Sequence, residues 1–161
     1  MVAGPGLAGA LLALVLAGFS VFLKLDAARG YGPMLLVVIA SYYALFAVMS
    51  GSPGALAAES LGLGAFALVA VIGFQTSAWL VVAALAAHAV FDAIHGRFID
   101  NPGTPVWWPA FCMAFDLVAA ASLGVSLGRP GPPAPPTDST SRLPGRGGLL
   151  YYPGKKGGSN G

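Results

Sequence analysis

His88, Asp92 and His95 fall at i, i+4 and i+7 in the run His88-Ala-Val-Phe-Asp92-Ala-Ile-His95. A helix therefore places all three on one face. Two imidazoles and a carboxylate are the donor set of many Zn²⁺ and non-haem Fe²⁺ sites. Without a metal, a buried His–Asp pair can instead shuttle protons. Two further carboxylates lie within the apolar stretches: Glu59, and Asp116 in the pattern Cys112-x-x-x-Asp116. His88, Asp92 and His95 are thus the candidate metal ligands. Asp116 or Glu59 would complete the shell or act as general base on a metal-bound water. The candidate acid–base or metal set is His88, Asp92, Asp116 and Glu59. Cys112 taken alone reads as a small buried hydrophobe.

The elements that must position these groups follow from composition. Of 161 residues, 57% are hydrophobic and only 9% are charged, and mean hydropathy is +0.78. Soluble globular domains carry about 25% charged residues, so this chain cannot clothe a water-facing surface. Five apolar stretches stand out, at 6–23, 33–49, 55–74, 78–95 and 105–127. Each matches the roughly 20 residues needed to cross a hydrocarbon core of about 30 Å. Backbone groups in lipid must be satisfied within the segment, so these are helices. The fold class expected is all-α: a polytopic five-helix transmembrane bundle over 1–127, followed by a Gly/Pro/Ser-rich basic tail, 128–161, read as disordered.

The first span lacks a basic n-region, since Lys24 is the first cation. Its apolar run also exceeds the usual 7–15 residues of a signal peptide. It reads as a membrane span, although Ala27-Ala28 offers a small-residue cleavage site. Ser52 and Pro53 have N-cap and first-turn character for the third span. Gly62, Ala70 and Gly73 give that span small residues for close helix approach. Gln75-Thr76-Ser77 is a hairpin turn, and spans three, four and five are expected to be mutually adjacent. Gly96 reads as the residue just past the end of the fourth span. Trp107 and Trp108 sit where an aromatic belt belongs.

Orientation follows from the cations. With the N-terminus outside, Lys24, Arg29, Arg129, Arg142, Arg146, Lys155 and Lys156 fall inside, against Arg97 outside. The positive-inside rule then gives N-out, C-in in a cell (inner) membrane. In that topology Glu59 lies roughly 6 Å below the outer end of its span, and Cys112 and Asp116 roughly 10 and 15 Å below theirs. Asp92 and His95 are within a turn of the outer end of span four, with His88 about two turns down. The polar groups therefore share the outer half of the bilayer.

The pattern His88-x-x-x-Asp92-x-x-His95 followed by Pro105-x-Trp-Trp-Pro109-x-Phe-Cys112-x-x-x-Asp116 resembles that of uncharacterised small bacterial integral membrane proteins. The likeness covers about residues 84–123 and implies a site location, with no activity to carry over. Several classes fit poorly. Desaturases need several His-rich boxes, and this chain has two His. Ceramidase-like hydrolases need further His and Ser positions without a match here. No phosphate loop, dinucleotide fingerprint, nucleophile elbow or c-type haem motif occurs. A net charge of +2 gives no case for nucleic acid, and the expected partner is the lipid bilayer.

Three readings stand side by side: interhelical hydrogen-bond glue, a metal or acid–base site, and a transport path. They correspond, in that order, to a non-catalytic accessory or assembly protein, a membrane-embedded enzyme acting on an apolar or lipid substrate, and a small carrier acting as a homo-oligomer. The cofactor expected under the second reading is a divalent metal, Zn or Fe.

Overall fold

The computed structural model describes residues 3–25 and 28–129. Asp26, Ala27 and the segment 130–161 lie outside the described residues, and with them the expected cleavage site and nearly all of the expected tail. Five helices occur in order: α1 (Ala3–Phe22), α2 (Tyr31–Met49), α3 (Pro53–Gln75), α4 (Ala78–Ile94) and α5 (Trp108–Gly128), with a 3₁₀ turn over His95–Arg97. All five are long and apolar enough to cross a membrane, and the described residues contain no strand. The chain is a multi-pass helical membrane protein by length and composition.

The helix limits have local causes. The Ser52 hydroxyl accepts from the Ala55 N–H, with Pro53 opening α3, and the Ser77 hydroxyl accepts from Trp79 N–H at the start of α4. These caps satisfy N–H groups that a helix start leaves without partners. α2 ends in a paired-bond stop, Ser52 N–H to Ala47 O and Gly51 N–H to Val48 O. Gly51 has φ 64°, a left-handed conformation that glycine adopts without steric cost. At the end of α1 the same pattern puts Lys24 at φ 59°. Gly96 differs from expectation. It has no positive φ, because the chain tightens into the 3₁₀ turn, in which both Phe98 and Ile99 donate to His95 O. Gly128 belongs to α5, so the tail boundary moves beyond it. Pro105 to Trp107 form a turn before α5 instead of its first residues.

The close pairs are α1 with α5, α4 with α5, and α2 with α3, with lighter packing of α3 and α2 on α4. α3 and α5 are not among these pairs, which corrects the expectation that spans three, four and five are mutually adjacent. α4 is the shared neighbour of α2, α3 and α5, and α5 turns its other flank to α1. Glycine allows that approach: a Cβ on Gly9 would collide with the Phe111 carbonyl. Arg29 fastens the opposite end of the bundle, donating to the last carbonyl of α3, Gln75 O, at 2.8 Å, where helix-end carbonyls favour a cation.

Each inward stripe changes character along its length. On α4 it runs Val81, Ala84, Leu85, His88, Ala89, Asp92, at the i, i+3, i+4 spacing of a single face. On α5 it runs Cys112, Phe115, Asp116, Ala119, Ala120, Leu123. On α2 the inward stripe ends in Tyr43 and Ala47, and on α3 it begins with Ala55 and Glu59. The apolar halves meet in one core built around Leu36, Ile39, Val81, Leu85, Phe115 and Leu123. The polar halves meet at the end carrying the α2–α3 and α4–α5 connections. Leu7, Val15, Phe22, Leu61, Val90 and Val125 point outward, as a lipid-facing surface requires.

Candidate metal centre

Burial defines the centre. His88, Asp92, Cys112 and Asp116 are 1%, 2%, 2% and 0% exposed, and one ligand-type atom from each lies within 4.8 Å of all the others. α4 presents His88 and Asp92 one turn apart, and α5 presents Cys112 and Asp116 one turn apart. Two adjacent helices thus offer a two-by-two set, and the buried residues next to it along the same faces include the small Ala84, Ala89, Ala119 and Ala120.

The imidazole is the hub. His88 Nδ1 is 2.6 Å from Asp116 Oδ2 and 3.6 Å from Asp92 Oδ2. Phe66 stands edge-on to the ring at 4.7 Å between centroids, closing it on the α3 side. Asp92 Oδ1 accepts from the Tyr43 hydroxyl at 2.8 Å. Two of the four carboxylate oxygens of Asp92 and Asp116 have no hydrogen-bond partner, Asp92 Oδ2 and Asp116 Oδ1. Buried polar atoms are almost always satisfied, and here two carboxyl groups share one imidazole; with both ionised they would leave excess negative charge at membrane depth even against a charged imidazole. Such groups in a span are expensive unless they are compensated.

A cation suits this deficit. Donor atoms in a tetrahedral shell at 2.0–2.3 Å from a metal lie about 3.3–3.8 Å apart, within the spread of these four. Nitrogen, oxygen and sulfur together match Zn²⁺ and similar borderline metals better than Mg²⁺ or Ca²⁺. The 2.6 Å contact between His88 and Asp116 is held by a proton, whose place a metal among the four donors would take.

His95 is not in this group, which corrects the ligand set His88, Asp92 and His95. It shares the α4 stripe but points to Glu59, with Nε2 2.7 Å from Glu59 Oε1. Asn101 donates from Nδ2 to the same Glu59 oxygen at 2.8 Å and to the Tyr43 carbonyl at 3.0 Å. Glu59 thus lies in a second buried cluster with His95 and Asn101, apart from Asp92 and Asp116. Tyr43 joins the two clusters: its ring stacks on His95 at 4.0 Å and 21°, while its hydroxyl reaches Asp92. The candidate set keeps Asp116 and gains Cys112, and the second cluster gains Asn101. Tyr43 had a sequence signal, its depth in the far half of α2. Asn101 had none beyond its turn. Trp108 packs against Tyr42 and Phe46, each at 4.9 Å, and Trp107 remains half exposed.

Elsewhere in the bundle, an apolar groove of about 700 Å³ runs between α1, α2 and α5, lined by Ala13, Ala17, Leu35, Phe115, Ala119 and Ser122 among others. Compared with protein-family models, curated proteins and solved structures, the chain finds no match in any of the three.

Proposed function

We propose that this is a metal-centred integral membrane protein, with a divalent transition metal held between α4 and α5 by His88, Asp92, Asp116 and Cys112. The observation that carries the reading is the pair of partnerless carboxylate oxygens, Asp92 Oδ2 and Asp116 Oδ1, beside one buried imidazole. In this reading the two carboxylates supply the charge that draws the ion, His88 offers a neutral nitrogen ligand, and Cys112 selects a thiophilic ion. The metal would supply Lewis acidity. The full chain purified in detergent, stripped with chelator and dialysed against Zn²⁺, should retain about one ion per chain. Asp116→Asn and Cys112→Ala should retain much less. Equal zinc in wild type and Asp116→Asn would sink the reading.

The apolar groove supports placing the centre in a membrane-embedded enzyme acting on an apolar or lipid substrate. Its wall includes Phe115, the residue before Asp116. Metal-loaded and stripped protein incubated with a membrane lipid extract should differ in lipid products by mass spectrometry. Identical products would leave a metal centre without this chemistry, as the accessory class requires.

For orientation we propose N-terminus outside and C-terminus inside a cell membrane, which puts the centre near the outer face. The support is the distribution of Lys and Arg. A Cys at exposed Asp100 should react with an impermeant thiol reagent in intact cells, and one at exposed Thr76 only after permeabilisation. The opposite pattern would reverse the topology.

A further inference from the structure

Three contacts converge on Tyr43, a fully buried side chain in α2. Its hydroxyl donates to Asp92 Oδ1 at 2.8 Å. Its backbone carbonyl accepts from Asn101 at 3.0 Å. Its ring lies flat on His95, whose own direction is set by Glu59 at 2.7 Å. Asn101 is fixed in turn: its Oδ1 accepts from the Gly103 N–H at 3.2 Å, a local turn bond of the kind Asn favours, and its Nδ2 grips Glu59. Every member of the second cluster therefore bears on Tyr43, directly or through one neighbour.

We infer that Tyr43 is the positioning residue of the metal centre, and that Glu59, His95 and Asn101 form the clamp that holds it. The inference rests on the metal reading above. Asp92 has two oxygens and only one of them is engaged. By holding Oδ1, the Tyr43 hydroxyl turns the carboxylate so that Oδ2 faces His88 Nδ1 at 3.6 Å, and leaves Oδ2 as the single ligating atom. Groups that hydrogen-bond a ligand in this way fix its direction, and their loss typically weakens metal binding about 10–100-fold. Tyr43 is on neither helix that bears the ligands. It ties α2, and through the clamp α3 and the α4–α5 connection, to the centre between α4 and α5.

The test uses Co²⁺ as a spectroscopic probe in the full chain in detergent, with affinity from titration and geometry from the ligand-field and thiolate charge-transfer bands. Tyr43→Phe, which removes only the hydroxyl, should bind Co²⁺ about 10–100-fold more weakly. Its bands should shift towards the weaker absorption of higher coordination, as Asp92 becomes free to bind through both oxygens. Asn101→Ala should shift affinity and bands in the same direction, and should add little in a Tyr43→Phe background, since coupled residues are non-additive. A wild type that binds no Co²⁺ would overturn the metal reading itself. A wild type that binds while Tyr43→Phe keeps its affinity and bands would overturn the role of Tyr43. Full additivity of Asn101→Ala and Tyr43→Phe would overturn the clamp. Should Tyr43→Phe fail to fold, unchanged bands in Asn101→Ala would overturn the inference in its place.

Discussion

Replacing His88 with Leu is expected to destabilise the metal-free protein by about 3–5 kcal/mol. Leu is close to His in size, so the change removes charge compensation and leaves packing nearly intact. Asp92 and Asp116 would remain 2% and 0% exposed, with only the Tyr43 hydroxyl bonding Asp92 and no cation near Asp116. The cost of an uncompensated buried charge exceeds what the original pair contributed. The double variant His88→Leu/Asp116→Leu should therefore recover much of the loss, because it takes away a charge along with its partner. Unfolding in detergent with chelator present, followed by temperature or denaturant, measures all three forms. A single variant as stable as wild type would show that the carboxyls fold uncharged, and the account of the centre as an electrostatic deficit would fall.

This result would separate two levels at which the chain can be read. The five helices were legible because their cause is local: apolar runs of membrane length, with Ser52 and Pro53 marking the start of α3. The shared depth of Glu59, Asp92, His95, Cys112 and Asp116 was legible too, since depth is residue count times rise. Depth also pairs His88 with Asp116, the two deepest groups, and the structure puts them 2.6 Å apart. The partner of His95 was not legible: periodicity says that His88 and His95 share a stripe, but not that Glu59 lies opposite His95. Part of this was available in advance. Seven residues at 1.5 Å put His95 about 10 Å along the axis from His88, too far for both to hold one ion comfortably. Cys112 was read alone, and alone a cysteine is a packing residue; its meaning comes from α4. Asn101 looked like turn chemistry because its partners, Tyr43 and Glu59, are 58 and 42 residues away in sequence. The adjacency of α1 and α5 is likewise a contact between the two ends of the helical region, which no local rule supplies.

Gly103→Ala is expected to destabilise the protein by about 1–3 kcal/mol or more, the range for overpacking a close contact, and to weaken metal binding as well. A Cβ at Gly103 would run into the carbonyl oxygen and carbon of Phe46, with Ser50 Cβ a further 3.1 Å neighbour. Those are backbone atoms of α2 near its end, which cannot swing aside as a side chain would. The α4–α5 connection has to lift away instead. Asn101, two residues back and bonded to the Gly103 N–H, would then lose its reach to the Tyr43 carbonyl and to Glu59. The effect of one methyl group should thus appear at the centre through Tyr43, as a weaker Co²⁺ affinity in the direction expected of Asn101→Ala. Gly96→Ala is the matching control. It lies in the same connection, has negative φ, and a Cβ there meets nothing within 4 Å, so its stability should stay within about 0.5 kcal/mol of wild type. Equal effects at Gly96 and Gly103 would mean that the connection responds to any lost glycine; a large effect at Gly103 alone would locate the cause in its contact with Phe46.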